Sequence, residues 1–231
     1  VVIGTGETSD RRIYVFDKDS DDPLWEYNTQ AYSDYEQCVD ISEDGNFVSA
    51  SYHSSTKRIL VWDRVSSTPL WTYSHSNSNH LTEVSISADG KYVALGAQND
   101  LYLFNRNSSS PIWKYDTSGN VNSVDISADG EYIVAGSEDS IIYYFERDSS
   151  TPLWKHDTEG DVYSVDISAD GKYISAGSYD NKAYTFKHSF VNRPSLIPYG
   201  PRSGSEIETP ILGWFAGSDD RSNLTFDVYL D

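Results

Sequence analysis

The chain has 231 residues, 36 acidic against 17 basic side chains and a net charge of −19. That balance repels a phosphate backbone and excludes nucleic acid as the expected partner. There is one cysteine, Cys38, so no intrachain disulfide can form, and no apolar run approaches the length of a membrane span. Tyrosine (18) outnumbers phenylalanine (8), which suits strands wet on one side and buried on the other.

Read in chain order, the sequence repeats itself. Val39–Gly45 reads VDISEDG, Val84–Gly90 VSISADG, and both Val124–Gly130 and Val165–Gly171 VDISADG. The Asp-Gly pairs that begin at Asp44, Asp89, Asp129 and Asp170 are spaced by 45, 40 and 41 residues. A second anchor, Pro-Leu/Ile-Trp, ends at Trp25, Trp71, Trp113 and Trp154, with spacings of 46, 42 and 41. Two anchors sharing one period identify a structural repeat.

Each unit divides into four short strands. In one copy these are 124–127, closed by the Asp129-Gly130 hairpin turn, then 132–137, 141–145 and a strand carrying Leu153 and Trp154. No segment has helical spacing with caps, so the fold class is all-β. A four-stranded sheet apolar on both faces cannot cover itself; stacking such sheets around an axis buries each face on a neighbour, which gives a β-propeller. Gly96, Gly136 and Gly177 share one repeat position, where a missing side chain implies close backbone approach.

The blades resemble those of WD-repeat and quinoprotein-like (PQQ-like) propellers, above all the WD40-like arrays of archaeal and bacterial surface proteins. Trp62-Asp63 is the one true Trp-Asp pair; its counterparts are Phe16-Asp17, Phe104-Asn105, Phe145-Glu146 and Phe186-Lys187, and the Gly-His pair of that family is absent. The resemblance covers residues 1–190. It implies a propeller fold and, from the company such arrays keep, a location at the cell surface or outside a prokaryotic cell.

Val1 aligns with Ile133, inside a second strand, so the first blade lacks its innermost strand, and the last unit, from Val165 to Lys187, has no Pro-Leu-Trp strand. Parts of five blades are expected, from a seven- or eight-bladed ring completed by upstream sequence. Residues 191–200 read as a linker. Residues 201–231, with Ile211-Leu-Gly-Trp214 and a strand at 224–230, resemble the opening strands of a fibronectin type III-like sandwich.

Three sets of residues are candidates for function. Asp40, Asp125 and Asp166 share one position on the first strands, with Ser85 in the remaining copy; an acidic ring there could hold calcium through oxygen ligands, or its members could bond neighbouring backbone. The acidic loop 17–22 lacks the glycine and the closing glutamate of a calcium loop and reads as a turn. The loops leading from each fourth strand to the next first strand cluster on one face and differ most between blades. They carry Tyr32, Tyr35 and Glu36, then His75 and His80, then Asn120 and Asn122, then Asp161 and Tyr163, the aromatic and polar makings of a binding face. There is no GxSxG, HExxH, phosphate loop or CxxC, and no cofactor is expected. The reading is a non-catalytic module that binds a protein or glycan; the alternative is a quinone- or metal-dependent enzyme whose active residues lie in other blades.

Overall fold

The computed structural model describes residues 1–5, 11–29, 37–53, 57–75 and 81–188. The linker and the sandwich-like segment expected at 191–231 lie outside them. Within them every regular element is a strand, grouped in five antiparallel sheets.

The first sheet has three strands: β1 (Val2–Gly4), β2 (Arg12–Phe16) and β3 (Pro23–Asn28). Three four-stranded sheets follow. They are β4 (Gln37–Ile41) to β7 (Trp71–His75) with β5 (Phe47–His53) and β6 (Lys57–Asp63) between; β8 (Leu81–Ile86), β9 (Tyr92–Ala97), β10 (Asp100–Asn105) and β11 (Pro111–Asp116); and β12 (Val121–Ile126), β13 (Tyr132–Ser137), β14 (Ile141–Glu146) and β15 (Trp154–Asp157). The last sheet is β16 (Val162–Ile167), β17 (Tyr173–Ser178) and β18 (Ala183–Lys187). In every sheet the strands pair in sequence order, the meander of a propeller blade. Val2 pairs with Val15, so β1 is a second strand, as the alignment of Val1 with Ile133 requires.

The Ser-x-Asp-Gly motif forms because it satisfies its own turn. Ser127 Oγ donates to Asp129 Oδ1 at 2.7 Å; the same oxygen accepts the Glu131 N–H at 2.9 Å, and Ser127 Oγ accepts the Tyr132 N–H at 3.0 Å. Gly130 supplies the left-handed residue, at φ 66°. A Cβ on it would also stand 2.5 Å from the Tyr92 ring of the preceding blade. The motif is therefore both a turn and a contact between blades.

The core is a series of layers between sheets. Leu101, Leu103 and Trp113 of one blade pack with Val124, Ile133 and Phe145 of the next; Val134, Tyr144 and Trp154 in turn meet Val165, Ile174 and Phe186. Burying both faces is what a single blade cannot do for itself. At Gly136 a Cβ would lie 2.5 Å from Val162 Cγ1, so the glycine lets the innermost strand of the following blade close on β13.

The Pro-Leu/Ile-Trp anchor has a polar purpose besides its bulk. Trp25, Trp71 and Trp113 each donate their indole N–H to a backbone carbonyl of the following blade: Arg64 at 2.6 Å, Arg106 at 2.5 Å and Arg147 at 2.6 Å. Arg147 also lies over the Tyr92 ring and pairs with Glu131 at 2.7 Å. Trp62, on a third strand rather than in the anchor, is fully buried against Trp25 and Tyr27.

Candidate functional site

Antiparallel meanders put the connections between fourth and first strands on the same end as the turns between second and third strands. The contacts confirm it. The loop after β11 reaches the β13–β14 turn, where Ser118 N–H donates to Asp139 Oδ2 (2.9 Å) and Asn120 Nδ2 to Glu138 Oε2 (2.6 Å). The loop after β15 repeats the arrangement: Tyr179 N–H donates to the Asp161 carbonyl at 2.8 Å.

Two of these loops are not irregular, contrary to expectation. Residues 117–120 and 158–161 are copies of one Thr-x-Gly motif. Thr117 Oγ1 bonds the carbonyls of Asn99 (2.9 Å) and Gly119 (2.6 Å), and Thr158 Oγ1 those of Ser140 (2.8 Å) and Gly160 (2.6 Å). A four-residue repeat is too short to stand out beside the longer anchors, but Thr29, Thr117 and Thr158 at equal distances after their tryptophans were the signal.

Three candidate residues placed in loops lie in strands instead. His75 ends β7, Asn122 lies in β12 and Tyr163 in β16. Asn122 and Tyr163 are the extra residues of β-bulges, where the register shifts between Val121 and Ser123 and between Val162 and Ser164. A bulge re-aims one side chain without ending the strand. Asn122 uses it to donate to the Val162 carbonyl of the next blade at 3.1 Å. Tyr163 is 55% exposed and meets Tyr179, 71% exposed, edge to face at 5.9 Å between ring centroids. Tyr32, Tyr35, Glu36 and His80 lie outside the described residues.

The first-strand aspartates act as ties between blades. Asp40 accepts the N–H of Ile41 and that of Ile86 in the following blade, both at 2.8 Å. Asp125 does the same with Ile126 (2.8 Å) and Ile167 (2.9 Å). Ser85, in the blade between them, donates its hydroxyl to Asp125 Oδ1 at 2.9 Å. Burial pushes the pKa of both aspartates up, outweighing the N–H bonds that favour the anion. Asp166 sits beside Asp125 and adds a smaller push in the same direction. Among the described residues no three His, Cys, Asp or Glu side chains converge as a metal site. Asp40 and Asp125 thus follow the backbone-bonding alternative, each accepting one N–H from its own strand and one from the next blade.

Sequence comparison adds one finding. Residues 109–146 and 150–186 match the family model for the WD domain, G-beta repeat. Each matched segment is the outer strand of one blade followed by three strands of the next. Together with the repeated four-stranded sheets, the match supports a WD40-like β-propeller. No curated protein matches the chain. Among the described residues no helix is long and apolar enough to cross a membrane.

Proposed function

We propose that this chain is a non-catalytic scaffold that seats a protein partner on the face bearing the Thr-x-Gly loops and the strand bulges, within a larger secreted or cell-surface protein. WD40 repeats generally mediate protein interactions, and the matched segments support that reading for this chain. The observation that supports the choice of face is its combination of rigidity and exposure. Its loops are pinned by Thr117, Thr158 and Asp139, yet it offers Tyr163 and Tyr179 to solvent as an aromatic pair. Rigid aromatics give contact area at low entropic cost. The opposite face carries the Ser-x-Asp-Gly turns, whose polar groups are spent internally.

Photo-crosslinking tests this reading. A crosslinking amino acid placed at Tyr179 should capture a partner from the native source, and one at Asp148 on the opposite face should not. Equal capture from both positions overturns the choice of face. A glycan partner would be met as saturable binding to a glycan array that is lost in Y179A. Turnover of a redox dye by the intact protein with added quinone cofactor or calcium would sink the non-catalytic reading.

A further inference from the structure

The loop between the third and fourth strands is built in one way in four blades. Ser20, Ser66, Ser108 and Ser149 share a position, and each hydroxyl accepts the N–H two residues on: Asp22 at 3.1 Å, Thr68 at 3.1 Å, Ser110 at 3.0 Å and Thr151 at 3.0 Å. The residue that opens the loop holds its first half. Asp17, Asp63 and Asn105 each accept an N–H two residues on through a side-chain oxygen, at 3.3, 3.1 and 2.9 Å. Turns of this kind close on their own polar groups. The side chains of the third and fifth residues of the loop take no part in it.

In the blade of β8 to β11 those two residues are Asn107 and Ser109, and Asn107-Ser108-Ser109 is an Asn-x-Ser sequon. The other three loops have Asp19, Val65 and Asp148 in place of the asparagine. Both aspartates pair with the basic residue before them, Asp19 with Lys18 Nζ at 2.9 Å and Asp148 with Arg147 Nε at 3.2 Å. Arg106 is engaged elsewhere: its Nη1 donates to the Asp89 carbonyl at 3.2 Å, and its guanidinium lies 3.8 Å from the centre of the Phe47 ring. The Asn107 carboxamide and the Ser109 hydroxyl belong to exposed residues, and neither has a hydrogen-bond partner among the described residues.

We propose that Asn107 is a site of N-linked glycosylation. This assignment rests on the secreted or cell-surface location proposed above and not on the choice of binding face. An acceptor site needs an exposed carboxamide that the fold does not hold and a hydroxyl two residues on, and this loop presents both. A sugar on Asn107 Nδ2 breaks no bond of the turn, because Asn105 and Ser108 hold it. The Arg106 bond to the Asp89 carbonyl puts the loop at the end of the blades that carries the Ser-x-Asp-Gly turns, so the glycan leaves the Tyr163–Tyr179 face clear. The donor is an oligosaccharide carried on a polyprenyl diphosphate, and the catalyst is a transferase of the export route that reads Asn-x-Ser. Asn107 Nδ2 attacks the anomeric carbon. The C–N bond forms, the C–O bond to the diphosphate breaks with its electron pair going to the lipid diphosphate, and the amide nitrogen gives up one proton; nothing is oxidised or reduced.

The test takes the full-length protein from its native source through cell fractionation and then tryptic mapping by mass spectrometry. Cleavage after Arg106 and Lys114 isolates residues 107–114, which separates this sequon from Asn223-Leu-Thr. The expected result is a 107–114 peptide whose mass is raised by an oligosaccharide, with fragment ions that place the sugar on Asn107. Asn107→Gln and Ser109→Ala, expressed in the native host, should each lose the modification. Asn107→Gln should unfold within about 2 °C of the deglycosylated wild type, so that its loss reports the acceptor and not the fold.

An exported protein whose 107–114 peptide has only its unmodified mass overturns the assignment and leaves the location reading standing. A modification that survives Ser109→Ala is not read from the sequon and overturns the assignment as well. A protein confined to the cytoplasm, with that peptide unmodified, sinks both. Crosslinking through Tyr179 decides the binding face independently of these outcomes.

Discussion

Ser85 sits where the other first strands carry aspartate, and a repeat consensus argues for replacing it by aspartate as a stabilising change. The structure argues the opposite. Ser85 is 8% exposed and donates its one hydroxyl proton to the buried carboxylate of Asp125, at 2.9 Å from Oδ1, with the carboxylate of Asp40 also nearby. Ser85→Asp removes that donor, at a cost of about 2 kcal/mol for a hydrogen bond to a charged acceptor. It also sets a third carboxylate near the first two. A unit pair some ~5 Å apart at an effective dielectric of about 20 repels by roughly 3 kcal/mol, an upper figure because proton uptake relieves it. The expected loss at pH 7 is therefore about 4 kcal/mol, or roughly 8–16 °C in Tm for a chain of this size. Thermal unfolding followed by circular dichroism measures it. The sign of the pH dependence is fixed as well: protonation removes the repulsion, so the gap to wild type should narrow near pH 4.5. Ser85→Ala should lose only the part owed to the donor, and Ser85→Asn, which keeps an N–H there, less than about 1 kcal/mol. A Tm for Ser85→Asp equal to or above wild type at pH 7 would refute the reasoning.

Three further outcomes are expected. Trp113→Phe should destabilise by about 2 kcal/mol in urea, through lost volume and the lost indole bond to the Arg147 carbonyl. Trp154→Phe should cost about 1 kcal/mol less, because the Trp154 indole N–H has no partner among the described residues. Gly136→Ala should cost about 1–3 kcal/mol by overpacking against Val162, whereas Gly45→Ala, with open space around it at φ 69°, should cost about 1 kcal/mol of backbone strain alone. On acidification the folded chain takes up protons at Asp40 and Asp125 before the unfolded chain does, since burial raises both above 3.8; their contribution gains as pH falls through that raised range. Asp170, held down to about 2 by hydrogen bonds from Lys172 and Ser168, contributes stability that is lost between 3.8 and 2. The urea midpoint should accordingly hold down to about pH 4 and fall below it, and Asp125→Asn should remove the gain on the way down.

The histidine at 75 and the aspartates at 40, 125 and 166 mark where legibility ended. Strand order, the three complete blades and the three-stranded first blade all followed from two repeat anchors, because a hairpin turn and a large aromatic are set by local chemistry: Asp129 and Gly130 close their own turn whatever surrounds them. The period likewise dictated that cores form between blades, since a sheet apolar on both faces has no other way to hide them. What no local rule contained was which side chains meet across a blade boundary. For the aspartates the sequence left metal binding and backbone bonding open, and Asp40 and Asp125 accept N–H groups of the next blade; Asn122 and Tyr163 looked like loop residues and are bulges within strands. His75 was legible as a residue on the loop face, but its pairing with Asp100 was not. That contact joins positions 25 residues apart, through the stacking of one sheet on another. The blade was legible because its turns and the pairing of its strands are local in the chain. Tertiary structure alone decided which side chains meet between blades, because those contacts cross between repeats and depend on how closely two sheets approach.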